Sequence, residues 1–118
     1  MVIIDPFPAY SRTLHKMIRD RIPHANVLEA NNFDQAHEVM KNNSPDIVFL
    51  DIATFPKNCT KYIRTLKRQL PESIIVVLTI HDSAEHEAAA LTHGADYFFS
   101  KTNASIWSLI HTVEKTFS

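Results

Sequence analysis

Four apolar runs divide the chain: VII at 2–4, DIVFLD at 46–51, SIIVVLT at 73–79 and YFFS at 97–100. Each is short, rich in β-branched or aromatic residues and without polar alternation, the pattern of strands buried on both faces. A weaker run, NVLEA at 26–30, reads as an edge strand. Between these runs the apolar period changes to that of a helix. Residues 9–22 place Tyr10, Leu14, Met17, Ile18 and Ile22 on one stripe; 33–42 place Phe33, Ala36, Val39 and Met40; 60–70 place Tyr62, Ile63, Leu66 and Leu70. A last helix carries Ile106, Leu109, Ile110, Val113 and Phe117, whereas 84–93 has little apolar bulk beyond Leu91 and reads as the most lightly packed helix. Asn32 with Gln35, and Asp82 with Glu85, have the spacing of a capping box, and Gly94 stands where a helix end needs positive φ.

The order is a strand followed by a helix, five times, which predicts an α/β fold: one domain over residues 1–118, a doubly wound parallel (βα)5 sheet. The flavodoxin-like strand order 2-1-3-4-5 is the common five-stranded form, and the pattern by itself leaves other orders open. At 118 residues the chain is long enough for one real core. Twelve basic against 13 acidic residues, a formal charge of −1, give no field of the kind that binds nucleic acid. One cysteine, Cys59, excludes an internal disulfide and a cysteine-clustered zinc site. The start has no basic n-region or long apolar segment, and IIVVL is too short to span a bilayer, so no membrane association is expected and a cytoplasmic location is the default. The single glycine excludes a P-loop and a dinucleotide fingerprint, which disfavours a flavodoxin-like enzyme or cofactor carrier.

In an open parallel sheet, ligands bind at the C-terminal ends of the strands. The polar residues there are Asp5, Asp51, Thr79 and Lys101. In the order 2-1-3-4-5 the strands carrying Asp5 and Asp51 are neighbours, so the two carboxylates should approach each other.

This constellation resembles the receiver domain of bacterial two-component response regulators, through VIID at the N-terminus, PDIVFLD ending at Asp51, IIVVLT ending at Thr79 and GADYFFSK ending at Lys101. The second and fourth motifs look especially like the receivers that precede a helix-turn-helix domain in LuxR/NarL-type regulators. A C-terminal DNA-binding output domain is absent here, which implies either a single-domain receiver or a part of a longer regulator. The resemblance makes Asp51 the phosphoacceptor for a sensor histidine kinase or small phosphodonor, forming an acyl phosphate; the chain is then a signalling domain and not an enzyme. It implies a Mg²⁺ site from Asp5, Asp51 and the backbone carbonyl of Ala53. Lys101 would pair with a phosphoryl oxygen and the Thr79 hydroxyl would donate to another. Thr79 and Phe98 would form the switch, shifting a surface of helix 4, strand 5 and helix 5 that is read by a partner or by homodimerisation.

The sequence also departs from that family. Aligning Pro8 with the usual proline leaves Pro6 where the second acid of the metal pocket would stand, so weak Mg²⁺ binding is expected. In the loop after Asp51, Pro56 comes one place late and Cys59 replaces the usual glycine. Ile80 stands where a small residue often gives phosphoryl access, His81 occupies a position that tunes dephosphorylation, and Thr102 replaces a frequent proline after Lys101. These departures favour a second reading, an atypical receiver that acts as a phosphorylation-independent dimerisation or docking module.

Simpler roles stand beside each assignment. Asp51 could be a strand-end cap, Asp5 an anchor for the first amides of helix 1, Thr79 a strand-end threonine, Lys101 a solvated lysine and Phe98 plain core. The seven histidines lack a ligand pattern and read as surface residues. Lys61, Arg64, Lys67 and Arg68 read as the solvated face of helix 3, and direct nucleic-acid binding by this domain is not expected. Trp107 flanks the helix 5 stripe, as core edge or as dimer face.

Overall fold

In the computed structural model, the described residues are 1–54, 59–80, 84–101 and 103–116. Five parallel strands, β1 (Val2–Ile4), β2 (Leu28–Ala30), β3 (Ile47–Asp51), β4 (Ile74–Thr79) and β5 (Tyr97–Ser100), form one sheet in the order β2-β1-β3-β4-β5. Helices α1 (Pro8–Arg21), α2 (Phe33–Met40), α3 (Cys59–Gln69), α4 (Ala84–Thr92) and α5 (Asn103–Thr116) follow the strands in turn. This is the expected doubly wound, flavodoxin-like α/β fold.

Successive strand residues point to opposite faces, and that alternation separates two cores. Ile3, Phe49, Val76 and Leu78 pack with Leu14 and Ile18 of α1 and Leu109, Ile110 and Val113 of α5. Ile4, Leu50 and Val77 pack with Ala36 of α2, Ile63 and Leu66 of α3 and Ala90 of α4. The sheet is therefore covered on both sides, which is why β1, β3 and β4 carry no polar alternation. YFFS departs from the expectation of burial on both faces: Tyr97 is exposed and Phe98 to Ser100 are half-buried. The reason is topological, since β5 has only β4 beside it.

The punctuation of the chain accounts for its ends. Asn32 Oδ1 accepts the Gln35 N–H at 2.9 Å and caps α2, while Gln35 Oε1 accepts the N–H of Asn31, one residue before the cap, at 2.8 Å. Gly94 has φ +117, outside the range of L side chains, and a Cβ there would stand 3.3 Å from the Lys67 stem. The α4 segment is the lightly packed helix expected: Ala90 is its buried residue and 84–88 are exposed. Phe33 leaves its predicted apolar stripe and lies exposed beside Tyr62. A 3-10 turn over Ile52–Thr54, not foreseen in the sequence, follows β3. Pro56, His81, Asp82, Thr102 and Phe117 lie outside the described residues, as does the Cys59 side chain. Among the described residues no helix is long and apolar enough to cross a membrane.

Candidate functional site

The register of the sheet assembles the site. Ile4 pairs with Leu50, so Asp5, one residue on, comes level with Asp51 at the end of β3. Asp51 pairs with Leu78 and Thr79 with Ser100, which advances Thr79 and then Lys101 one step each across the sheet edge. Two backbone bonds extend the pairing past the strand ends: Asp5 N–H to Ala30 O and Lys101 N–H to Thr79 O, at 2.9 and 2.8 Å. All four predicted residues thus stand at the C-terminal edge. Asp5, Asp51 and Thr79 are at most 1% exposed, and the Lys101 side chain is 3% exposed.

Asp5 and Asp51 meet through Lys101. Its Nζ donates to Asp5 Oδ2 at 2.6 Å and forms a second, shorter ion pair with Asp51 Oδ2. The other oxygen of each acid is tied to its own chain: Asp5 Oδ1 accepts the Phe7 N–H at 2.8 Å and Asp51 Oδ1 accepts the Ala53 N–H at 2.6 Å. Among the described residues, Asp51 Oδ2 is thus held by the Lys101 ammonium alone. The Asp5 bond also explains Pro6. A proline in the middle of the Asp5–Phe7 turn fixes φ and offers no N–H that would need a partner. Phe7 is the N-cap of α1 and Pro8 its first residue, with no side-chain cap, so Asp5 secures the entry to the helix and not its first amides.

Phe7 and Tyr10 complete the lysine's surroundings, with Nζ 5.0 Å from the Phe7 ring centroid and 4.3 Å from that of Tyr10. Ammonium over an aromatic face is attractive, more so when desolvated. The Tyr10 hydroxyl is buried with no hydrogen-bond partner among the described residues, and burial, followed by the charges of Asp5 and Asp51, pushes it up to about 12. Burial also raises the Asp5 carboxyl above its ordinary value; the Lys101 bond, the Phe7 N–H and the Lys101 charge hold it down, and the Asp51 charge adds to the rise. The sequence reading placed Tyr10 on the α1 stripe and gave Phe7 no role. The available signal was two aromatics, two and five residues beyond a strand-end acid.

The remaining predicted residues lie around this centre. Phe98 is half-buried against the core shared by α2, α3 and α4, and Ile80 is 61% exposed. Ala53 joins the site through its amide N–H. Divalent cations of the magnesium or calcium type take six or more oxygen ligands. This site offers two carboxylates, Pro6 supplies no acid, and the two pocket-facing carboxylate oxygens already contact an ammonium. Among the described residues no group of three His, Cys, Asp or Glu side chains could hold a metal. The resting arrangement does not fit such an ion.

Two predicted surface assignments change. Lys67 is not a solvated charge, because its Nζ donates to Ser73 O at 2.8 Å and to Asp96 Oδ2 at 2.9 Å, and the same carboxylate oxygen accepts the Ile75 N–H. His15 pairs with Glu29 at 2.7 Å, tying α1 to β2.

The family profile for the response regulator receiver domain matches residues 1–113. No curated protein sequence matches the chain. Among solved structures, the signal receiver domain of a DNA binding response regulator protein from Colwellia psychrerythraea 34H superposes with a TM-score of 0.87 at 18% identity, over 98% of this chain and 94% of that one. A response regulator protein from Burkholderia pseudomallei, with a phosphorylated aspartic acid, calcium ion and citrate, gives 0.76 at 22% identity over 99% and 71%. A two-component response regulator of the LuxR family from Aurantimonas sp. SI85-9A1 gives 0.80 at 20% identity over 98% and 84%. At these identities the likeness to solved structures is one of fold.

Proposed function

Because the chain belongs to the response regulator receiver domain family, we propose that it accepts a phosphoryl group on Asp51 from a sensor histidine kinase and passes the change to a partner-binding surface. The observation that carries this reading is the placement of Asp51, a carboxylate 1% exposed at the C-terminal end of β3, with the Lys101 ammonium in contact with its Oδ2. Attack by Oδ2 on phosphorus forms an O–P bond as the N–P bond of a phosphohistidine breaks, and the imidazole leaves with a proton from solvent. Lys101 follows the incoming oxyanion as a point charge, and the Thr79 hydroxyl donates to it. The phosphoryl group stays on the protein, which makes this chain a stoichiometric acceptor and not an enzyme.

Asp51, Thr79 and Lys101 are the reacting set in this reading. Thr79 and Phe98 carry the shift toward the surface of α4, β5 and α5, while Ile80 and His81 modulate access and lifetime. A LuxR/NarL-type regulator would couple that surface to homodimerisation and to a C-terminal DNA-binding domain. Divalent metal, Mg²⁺ in the cell, is expected to bind weakly, because Pro6 removes an acid and Lys101 competes for Asp5 and Asp51.

The test is an amide NMR spectrum in beryllofluoride, with and without Mg²⁺, alongside Asp51→Asn. The expected result is saturable shifts around Asp51, Thr79 and Lys101 that Asp51→Asn abolishes. Their absence even at tens of millimolar Mg²⁺ overturns the phosphoryl switch. It would leave the second reading, a phosphorylation-independent docking module, which the lysine bridge between the two acids favours because that bridge ties both acids to one cation.

A further inference from the structure

A hollow of about 550 Å³ opens between α2 and α3, on the face of the sheet that carries the second core and apart from the acid pocket. That volume is within the range of small-molecule sites. Two helical stripes face each other across it: Phe33, His37 and Lys41 from α2 and the residue after it, and Lys61, Tyr62 and Leu66 from α3. Phe33 is 45% exposed although it opens a helix, and its ring meets Tyr62 edge-on at 5.4 Å and stacks on His37 at 6.2 Å. Large aromatic area left at the rim of a hollow is a binding feature before it is a folding one.

The charge is one-sided. The chain is nearly neutral, yet the hollow is lined by two lysines and a histidine and by no acid. Asp34 and Glu38 lie on α2 outside the stripe, and α3 carries no acid along its whole length. Lys41 and Lys61 have no ion-pair partner among the described residues. Of the basic run on α3, Lys67 is consumed by Asp96 and Ser73, whereas Lys61 faces the hollow. Burial pushes the Tyr62 hydroxyl up to about 12, so it stays a neutral phenol in the apolar wall.

We propose that the α2–α3 hollow binds a small organic anion with an apolar body, of the aryl or medium-chain alkyl carboxylate class, its body against the Phe33–Tyr62 pair and its carboxylate toward Lys41 and Lys61. The site is independent of Asp51, so this domain has a ligand input besides phosphorylation.

The test is titration of the unphosphorylated chain with naphthalene-2-carboxylate, read by amide NMR, with naphthalene-2-carboxamide and 2-naphthylmethylamine as controls. The expected result is saturable shifts confined to 33–41 and 61–70, with a dissociation constant of about 1 mM or tighter, the scale for a ligand of this size. The carboxamide should bind at least about fivefold more weakly, and Lys41→Glu with Lys61→Glu about tenfold more weakly, with the difference shrinking in high salt. Both lysines are exposed, so the variant's unchanged amides around Asp51 report an intact fold. No saturable shift, equal binding of acid and carboxamide, or tighter binding of the amine overturns the proposal. So does a response to a Glu-rich peptide alone, which would assign the face to a protein partner. None of these outcomes bears on the beryllofluoride response at Asp51.

Discussion

Replacing Lys101 by methionine keeps the apolar stem and removes the one cation between two buried carboxylates. At 2.6 Å from Asp5, the gross attraction lost is about 6 kcal/mol at an effective dielectric of ~20, before desolvation offsets it. Removing one partner of a buried pair costs about 3–5 kcal/mol, a large share of the roughly 5–15 kcal/mol that holds a domain folded. The loss must depend on pH. The Asp5 carboxyl sits above its ordinary 3.8 because burial outweighs the lysine. An acid raised in this way gives its full contribution below the unfolded value and loses it as pH rises through the folded one. Lys101→Met removes two of the influences that hold Asp5 down, so the window of loss extends to higher pH. Urea unfolding followed by circular dichroism should show a deficit of about 3–5 kcal/mol at neutral pH that is smaller below the ordinary carboxyl value, where Asp5 is protonated in either chain. Adding Asp5→Asn should restore at least about 1 kcal/mol of it, a coupling that only a shared interaction produces. A deficit of equal size at both pH values, or an additive double variant, refutes the view that this ammonium compensates the acid pair.

Four further variants probe the supports of the site and of the fold. Tyr10→Phe should be neutral or stabilising by up to about 1 kcal/mol in urea unfolding, because the hydroxyl it removes is buried without a partner; Tyr10→Leu, which removes the ring 4.3 Å from the ammonium, should cost about 1–2 kcal/mol. Gly94→Ala should destabilise by about 1–3 kcal/mol, since φ +117 is strained for any L side chain and the new Cβ would press on Lys67. Asn32→Ala should cost about 0.5–2 kcal/mol through loss of the α2 cap, with hydrogen exchange rising first at the amides of 33–36.

The fold was legible because its determinants are local and repeated. Continuous apolar runs in β1, β3 and β4 require cover on both faces, and alternation with helical stripes leaves a doubly wound sheet as the natural solution. Where a strand lacks a neighbour the same signal misleads. YFFS looks as apolar as IIVVLT, yet β5 is an edge and Tyr97 is 41% exposed. Phe33 misleads for a related reason, since helical period fixes its direction but cannot say that α2 and α3 leave a hollow there. The turn at Ile52–Thr54 has no periodicity at all.

Asp5, Asp51, Thr79 and Lys101 were readable for a stronger reason than any motif, since strand ends in a parallel sheet must converge on one edge, whatever residues occupy them. How the four pair is a different matter, set by side-chain reach across the edge. Lys101 follows the strand farthest from Asp5 on its side of the sheet, 96 positions away in the chain, and only its long stem lets one ammonium serve both acids. That reach needs a wall, and the wall is made by Phe7 and Tyr10, which sequence spacing places on helix entry and helix face with no hint that they share a cation. Pro6 links the two levels. Along the chain it only interrupts the run after Asp5; in the folded site it forms the turn that lets Asp5 Oδ1 bond Phe7 N–H and brings that ring near Lys101. The proline thus helps hold the lysine between the two acids, so Pro6→Asp would add a charge while loosening the turn that positions Phe7.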